Sequence, residues 1–127
     1  MGRTELPYTT KDDGKRVKSS TGALRSDSSG KGRYDLVSPH GIKRLAQVYE
    51  RGGIQKGDRN WEQGFSTSRA LSSAIRHLFQ YLIGMRDEDH LAQACWNVFC
   101  VIHFEEEVAS GNLPEALLDT PKERIML

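Results

Sequence analysis

The chain is poor in the features that mark familiar chemistries. It has only two cysteines, Cys95 and Cys100. Five positions apart on one helix, they point in different directions, which excludes a bridge between them. Reduced, buried thiols in a cytoplasmic protein are the expectation. No apolar run is long enough to cross a bilayer, and the first residues lack the apolar stretch of a signal peptide. The formal charge is +1, so no overall field favours nucleic acid or a membrane surface as partner. There is no P-loop, no Ser-His-Asp signature, no Cys/His zinc spacing and no Rossmann glycine fingerprint. Asp89-His90 reverses the order of a His-Asp metal pair, which argues against a phosphohydrolase of that type.

What is present is a polar first quarter and an apolar remainder. Residues 1–30 are rich in Ser, Thr, Gly and Lys and cannot bury enough surface to fold alone. Lys11, Lys15, Arg16, Lys18, Arg25, Lys31 and Arg33 crowd this end. The expected division is a flexible basic arm over 1–30, a helical domain over 31–110 and a tail over 111–127.

A first helix is expected from Ser38-Pro39, with Ser as N-cap and Pro in the first turn, stopped by Gly52-Gly53. A loop with Lys56-Gly-Asp-Arg-Asn-Trp61 follows. The second helix starts near Ser66 and places Leu71, Ala74, Ile75, Leu78, Phe79 and Leu82 on an apolar stripe, with Arg69, Ser73, Arg76, His77 and Gln80 off it. Gly84 ends it. Asp87 is the expected N-cap of a third helix that is apolar almost all round and ends near residue 110. The fold class is therefore all-α, a small bundle of three main helices with a polar N-terminal arm. Roughly 80 residues in three helices make a marginal lone core. Completion as a homo-oligomer, a dimer or tetramer, is expected.

Two polar clusters interrupt these helices. His90, Gln93 and Asn97 fall on one side of the third helix, and Arg69, Ser73, Arg76 and His77 can face them from the second. Arginine offers forked donors to phosphate, and histidine can relay a proton. A solvated arginine face and polar groups satisfied by nearby backbone are the simpler alternative. Glu50, Asp58, Glu62, Asp87, Glu88 and Asp89 are hard oxygen donors suited to Mg²⁺. Gly30-Lys-Gly-Arg33 is a flexible basic clamp, and Tyr34 and Trp61 could stack on a base or sit in a core.

Thr21-Gly-Ala-Leu-Arg25, Gly30-Lys-Gly-Arg-Tyr-Asp-Leu36, Gly57-Asp-Arg-Asn-Trp61, Ser73-Ala-Ile-Arg-His-Leu78 and Asp89-His-Leu-Ala92 with Trp96-Asn97 closely resemble a phage-encoded family, dATP/dGTP diphosphohydrolase, N-terminal. The resemblance runs from about residue 21 to the Leu-Pro-Glu near 115. It implies hydrolysis of purine deoxynucleoside triphosphates to monophosphate and pyrophosphate, for nucleotide-pool remodelling in a host bacterial cytoplasm. It also implies kinship with the MazG-like all-α pyrophosphohydrolases, which are Mg²⁺-dependent helical oligomers. Those enzymes carry Glu-x-x-Glu and Glu-x-x-Asp pairs. The central helices here lack both, and Arg76-His77 and His90/Gln93/Asn97 stand in the corresponding places.

The enzyme reading assigns His77, His90 and Asp89 to catalysis, and Glu50, Asp58, Glu62 and Asp89 to Mg²⁺. Lys31, Arg33, Tyr34, Arg59, Asn60, Trp61, Arg69, Arg76 and Asn97 would hold a purine nucleotide. The alternative is a non-catalytic nucleotide binder that sequesters a nucleotide or a cyclic defence signal. A plain helical interaction module leaves the Gly-Lys-Gly-Arg and Gly-Asp-Arg-Asn-Trp segments without a role.

Overall fold

The structure, a computed structural model, describes Tyr8 and residues 10–122. The outermost parts of the expected arm and tail lie outside the described residues. The chain divides into two compact units, one ending at Leu36 and the other beginning at Val37.

The first unit contains a small antiparallel hairpin within the segment expected to be a flexible basic arm. β1 (Arg16–Lys18) pairs with β2 (Leu24–Ser26), with Val17 opposite Arg25. The turn is closed by the Ser19 amide, which donates to the Ala23 carbonyl at 2.7 Å, and by the Gly22 amide, which donates to the Ser19 carbonyl at 2.9 Å. Asp12 accepts both guanidinium nitrogens of Arg16. Every strand residue is exposed. The hairpin is thus held by backbone and turn hydrogen bonds, and three-residue strands show no apolar alternation to detect.

The second unit holds three helices. α1 (Pro39–Lys56) starts at Ser38, whose hydroxyl accepts the Gly41 amide at 3.2 Å. It does not stop at Gly52-Gly53 but runs through them to a cap at Gly57. The glycines serve close approach instead: a Cβ on Gly53 would lie 2.5 Å from Asp58 Oδ1, so the turn after the helix can fold back against it. Residues 60–63 form a short 3-10 turn.

α2 (Thr67–Leu82) is capped by Ser66. α3 (His90–Ala109) is capped by Asp89, whose carboxylate accepts the Ala92 amide, rather than by the expected Asp87. Asp87 is drawn away by a bond to His90. α2 and α3 make the most extensive helix pairing, and α1 packs on α3.

The faces that meet differ from the expected stripes. α2 buries Thr67, Ala70, Ala74 and His77, while Ile75, Leu78, Phe79 and Leu82 are exposed. α3 buries His90, Ala92, Ala94, Asn97, Cys100 and Phe104, and leaves Val98, Phe99 and Ile102 exposed. Small side chains let the two backbones approach closely, so bulk is turned outward. His77 and Asn97 are therefore interior residues and not members of an outer polar edge. Cys95 is exposed, against the expectation of two buried thiols, because it lies off this contact face. Cys100 is buried, and burial pushes its thiol pKa up to about 12.

After α3 the chain returns as a 3-10 turn, Glu115–Leu117. A Cβ on Gly64 would lie 2.6 Å from Leu117 Cδ1, and Gly64 has φ +93°, so both space and backbone reserve this place for glycine. Asp119 then reaches the start of α2, accepting the Ser68 amide and hydroxyl at 2.8 Å each and the Ser66 and Thr67 hydroxyls. The expected tail is thereby tied to the helical unit as far as it is described.

Candidate functional site

A cavity of about 740 Å³ opens in the helical unit. Its walls come from the second half of α1, the turn at 57–62 and the first half of α3. Part of its lining is aromatic. Tyr49 meets Trp61 edge-on at 5.5 Å between centroids, and Trp96 at 6.2 Å. Phe65 stacks on Trp96 at 6.0 Å. Burial pushes the Tyr49 hydroxyl up to about 12, so it stays neutral and can donate a hydrogen bond. The lining also carries charge: Arg51, Lys56 and Arg59 with Glu50, Asp58 and Glu62. Arg59 Nη1 donates to Glu62 Oε1 at 2.6 Å. Arg59 takes a left-handed backbone, φ +60°, to make this turn, a conformation that costs a non-glycine residue about 1–2 kcal/mol. Strain kept at a cavity rim is a pointer to function.

A second recess adjoins by shared residues. Arg51, Glu88 and Gln93 line both, and Arg44, Tyr81, Arg86, Asp87, Asp89 and His90 complete the second. Arg44 Nε donates to Asp89 Oδ2 at 2.7 Å, tying α1 to the start of α3, and the guanidinium holds the Asp89 carboxyl below its ordinary range. Arg86 lies over the Tyr81 ring at 3.9 Å and donates to the Tyr81 and Met85 carbonyls.

Between α2 and α3 lies a buried histidine pair. His77 Nδ1 and His90 Nδ1 are 2.9 Å apart. His90 Nε2 is 2.8 Å from Asp87 Oδ1. The Asp87 carboxyl is held below its usual range, chiefly by this bond, and so is the anionic acceptor of the His90 Nε2 proton. His90 Nδ1 is then the lone-pair nitrogen, and His77 Nδ1–H donates to it. Burial, followed by the nearby Arg76 charge, lowers the His77 pKa. Donor atoms of His77, His90 and Glu88 lie within 4.8 Å of one another, a group that could hold a metal ion.

The structure brings together only part of the sequence-derived set. Glu50, Asp58, Arg59, Asn60, Trp61 and Glu62 line the large cavity. Asp89 and His90 line the recess, and His77 stands behind His90. Asp89 is engaged by Arg44 and caps α3, which leaves it ill placed as a free base or ion ligand. Arg69 and Arg76 are exposed and line neither cavity, and Arg76 donates to Ser73 of its own helix. Asn97 is buried and donates to the Gln93 carbonyl at 2.9 Å, a structural use. Lys31, Arg33 and Tyr34 are exposed residues of the first unit, where Arg33 is paired with Asp35.

The family described as dATP/dGTP diphosphohydrolase, N-terminal, matches residues 21–112, well over half of the chain. The chain belongs to this family. No curated protein and no solved structure matches it. The family's matched span takes in the whole rim of both cavities and the histidine pair.

Sequence reasoning missed Tyr49, Arg51, Phe65 and Trp96 as neighbours of Trp61, and Arg44 as the partner of Asp89. Tyr49 and Trp96 look like core positions on their helices, and nothing local tells that the two face a common opening. It also missed that Glu88, besides lining both openings, stands with the two histidines. The pair itself was legible, because histidine on an otherwise apolar helix needs a partner.

Proposed function

We propose that this chain hydrolyses purine deoxynucleoside triphosphates, dATP or dGTP, to the monophosphate and pyrophosphate. The observation that carries the reading is one cavity lined by both aromatic rings and cations, set beside an arginine-lined recess. Aromatic rings supply stacking for a purine. Arg51, Lys56 and Arg59 supply donors for phosphate, and Arg44 and Arg86 extend that positive surface past Glu88.

Cleavage at the α-phosphorus forms a bond to a water oxygen as the bond to the α–β bridging oxygen breaks. Pyrophosphate leaves with that electron pair, and the water proton passes to solvent. The arginines neutralise the charge gathering on the departing oxygens. Glu88, exposed and lining both openings, is the carboxylate placed to orient the water, since His90 has both ring nitrogens taken by His77 and Asp87. Glu50, Asp58 and Glu62 suit Mg²⁺ by chemistry: hard oxygens on one cavity, where the ion needs only one or two carboxylates beside substrate phosphates. A bound Mg²⁺ would neutralise phosphate charge there. The exposed apolar residues of α2 and α3 support assembly with a second copy of the chain through those faces.

A second reading, sequestration without turnover, is favoured by one observation. Among the described residues α2 contributes no carboxylate to the site, so the acidic pairs of MazG-like enzymes have no counterpart there. Incubation with dATP, dGTP and the ribonucleotides in Mg²⁺, followed by chromatography, decides between the two. Deoxynucleoside monophosphate and pyrophosphate in equal amounts support hydrolysis. Stoichiometric retention of unaltered nucleotide overturns it in favour of sequestration. Trp61→Ala should raise KM about fivefold or more if a base stacks there, since one stack contributes about 1–3 kcal/mol.

A further inference from the structure

We infer that His77, His90 and Glu88 form a binding site for a divalent transition-metal ion, with Asp87 as the group that orients His90. Its donor set differs in chemistry from Glu50, Asp58 and Glu62 of the large cavity, a cavity that Glu88 also lines. Three observations carry it.

The first is spacing. Two nitrogens bound to a tetrahedral ion at about 2.0–2.1 Å stand about 3.3 Å apart. His77 Nδ1 and His90 Nδ1 are 2.9 Å apart, close to that edge, and the Glu88 donor completes a group within 4.8 Å. A small outward rotation of the rings admits an ion where a shared proton now sits. The second is the partner on the far nitrogen. A metal-bound histidine commonly donates its other ring N–H to a carboxylate, which fixes the tautomer and raises the basicity of the ligating nitrogen. Asp87 Oδ1 at 2.8 Å from His90 Nε2 does this already. The third is burial. Both histidines are interior, while Glu88 is exposed and lines the recess. Two rigid nitrogens are thus held by the helices, and the carboxylate faces the opening where an exogenous oxygen ligand can enter.

The donor set names the class of ion. Two imidazoles and one carboxylate suit Zn²⁺, Mn²⁺, Co²⁺ or Ni²⁺, whereas Mg²⁺ takes oxygen ligands. Three protein ligands leave at least one position free, the arrangement of sites that act on a substrate or water. That position opens toward Arg44, Arg51 and Arg86, so the fitting exogenous ligand is an anionic oxygen such as that of a phosphate. The ion would also clip the C-terminal half of α2 to the start of α3.

The test needs no nucleotide, so its result is independent of the hydrolytic reading. The untagged full chain is freed of metal by chelation and titrated with Co²⁺, followed by visible absorption, and with Zn²⁺ and Mn²⁺ by calorimetry. One ion per chain, an intense Co²⁺ spectrum of low coordination number and a rise in Tm are expected, with no displacement by excess Mg²⁺. Asp87→Asn should weaken binding about 10–100-fold, the usual effect of losing such a partner, and Glu88→Gln by at least as much. Both residues are at the surface, so circular dichroism should be unchanged. His77→Gln should abolish the Co²⁺ spectrum. Absence of saturable binding by Co²⁺, Zn²⁺ and Mn²⁺ overturns the proposal. So does binding that Glu88→Gln and His77→Gln leave unaltered.

Discussion

Asp119 is the residue whose local chemistry is most fully determined. Hydrogen bonds from the Ser66 hydroxyl, and then from the Ser68 amide and hydroxyl, hold its pKa far below the ordinary carboxylate value. A carboxyl depressed in the fold stabilises it above the unfolded value, near about 3.9, and that stabilisation is lost as pH falls toward the folded value. Asp119→Ala should therefore lower Tm near neutral pH. The gap between variant and parent should narrow in melts taken at successively lower pH below about 4. A gap that stays constant would mean the carboxylate charge is irrelevant. Arg59 is the opposite case, a residue kept at a cost. Its left-handed backbone is relieved by glycine, which offsets the extra unfolded-chain entropy. Arg59→Gly should leave stability unchanged or raise it by up to about 1 kcal/mol in urea melts, while KM for a nucleotide rises. Loss of stability with intact binding would contradict the role given to the side chain.

Among the elements, α1 shows how two adjacent glycines can differ. A Cβ on Gly52 meets nothing within 4 Å, whereas on Gly53 it meets Asp58 Oδ1 at 2.5 Å. Gly52→Ala should stabilise the protein by about 0.5–1 kcal/mol through helix propensity alone. Gly53→Ala should gain less, because Asp58 must swing aside, and it should disturb nucleotide binding more than Gly52→Ala does. Urea melts of the two variants, with binding measured in parallel, check both statements. α2 and α3 follow a different logic. Their shared face is built from alanines, Thr67, Cys100 and the histidine pair, so it is thin and close, and only Phe104 adds bulk. Bulk-for-contact is reversed relative to a usual amphipathic helix.

That reversal reaches the whole molecule. Ile75, Leu78, Phe79 and Leu82 on α2 and Val98, Phe99 and Ile102 on α3 meet solvent in one copy of the chain. With the proposed self-association, light scattering should give a mass of at least two chains at micromolar concentration. Phe79→Asp should shift it toward one chain, because a desolvated carboxylate at an apolar contact is strongly opposed. A single-chain mass for the parent protein would remove the assembly from the account. The helices here are also too short or too polar to cross a membrane among the described residues.

How far this was readable differs from element to element. Three helices, the caps at Ser38 and Ser66, and the end of α3 follow from spacing and capping residues, which act within a few positions along the chain. The same local rules misplaced the start of α3 and the end of α1, because Asp87 is claimed by His90 and Gly53 by Asp58. They were also blind to the hairpin, whose strands bury nothing.

The sequence by itself determined which segments are helical, that His77 and His90 need partners, and which motifs place the chain in its family. Only the tertiary structure decided which face of α2 is inside, that Asp89 serves Arg44, that Tyr49 and Trp96 join Trp61 around one cavity, and that Glu88 stands with the histidines. The reason is range. Helix signals come from neighbours three or four residues apart, whereas these groupings join different elements. Arg44 with Asp89, and Tyr49 with Trp61 and Trp96, depend on how α1 packs on α3, and the inner face of α2 with its histidine pair depends on how closely α2 and α3 pack.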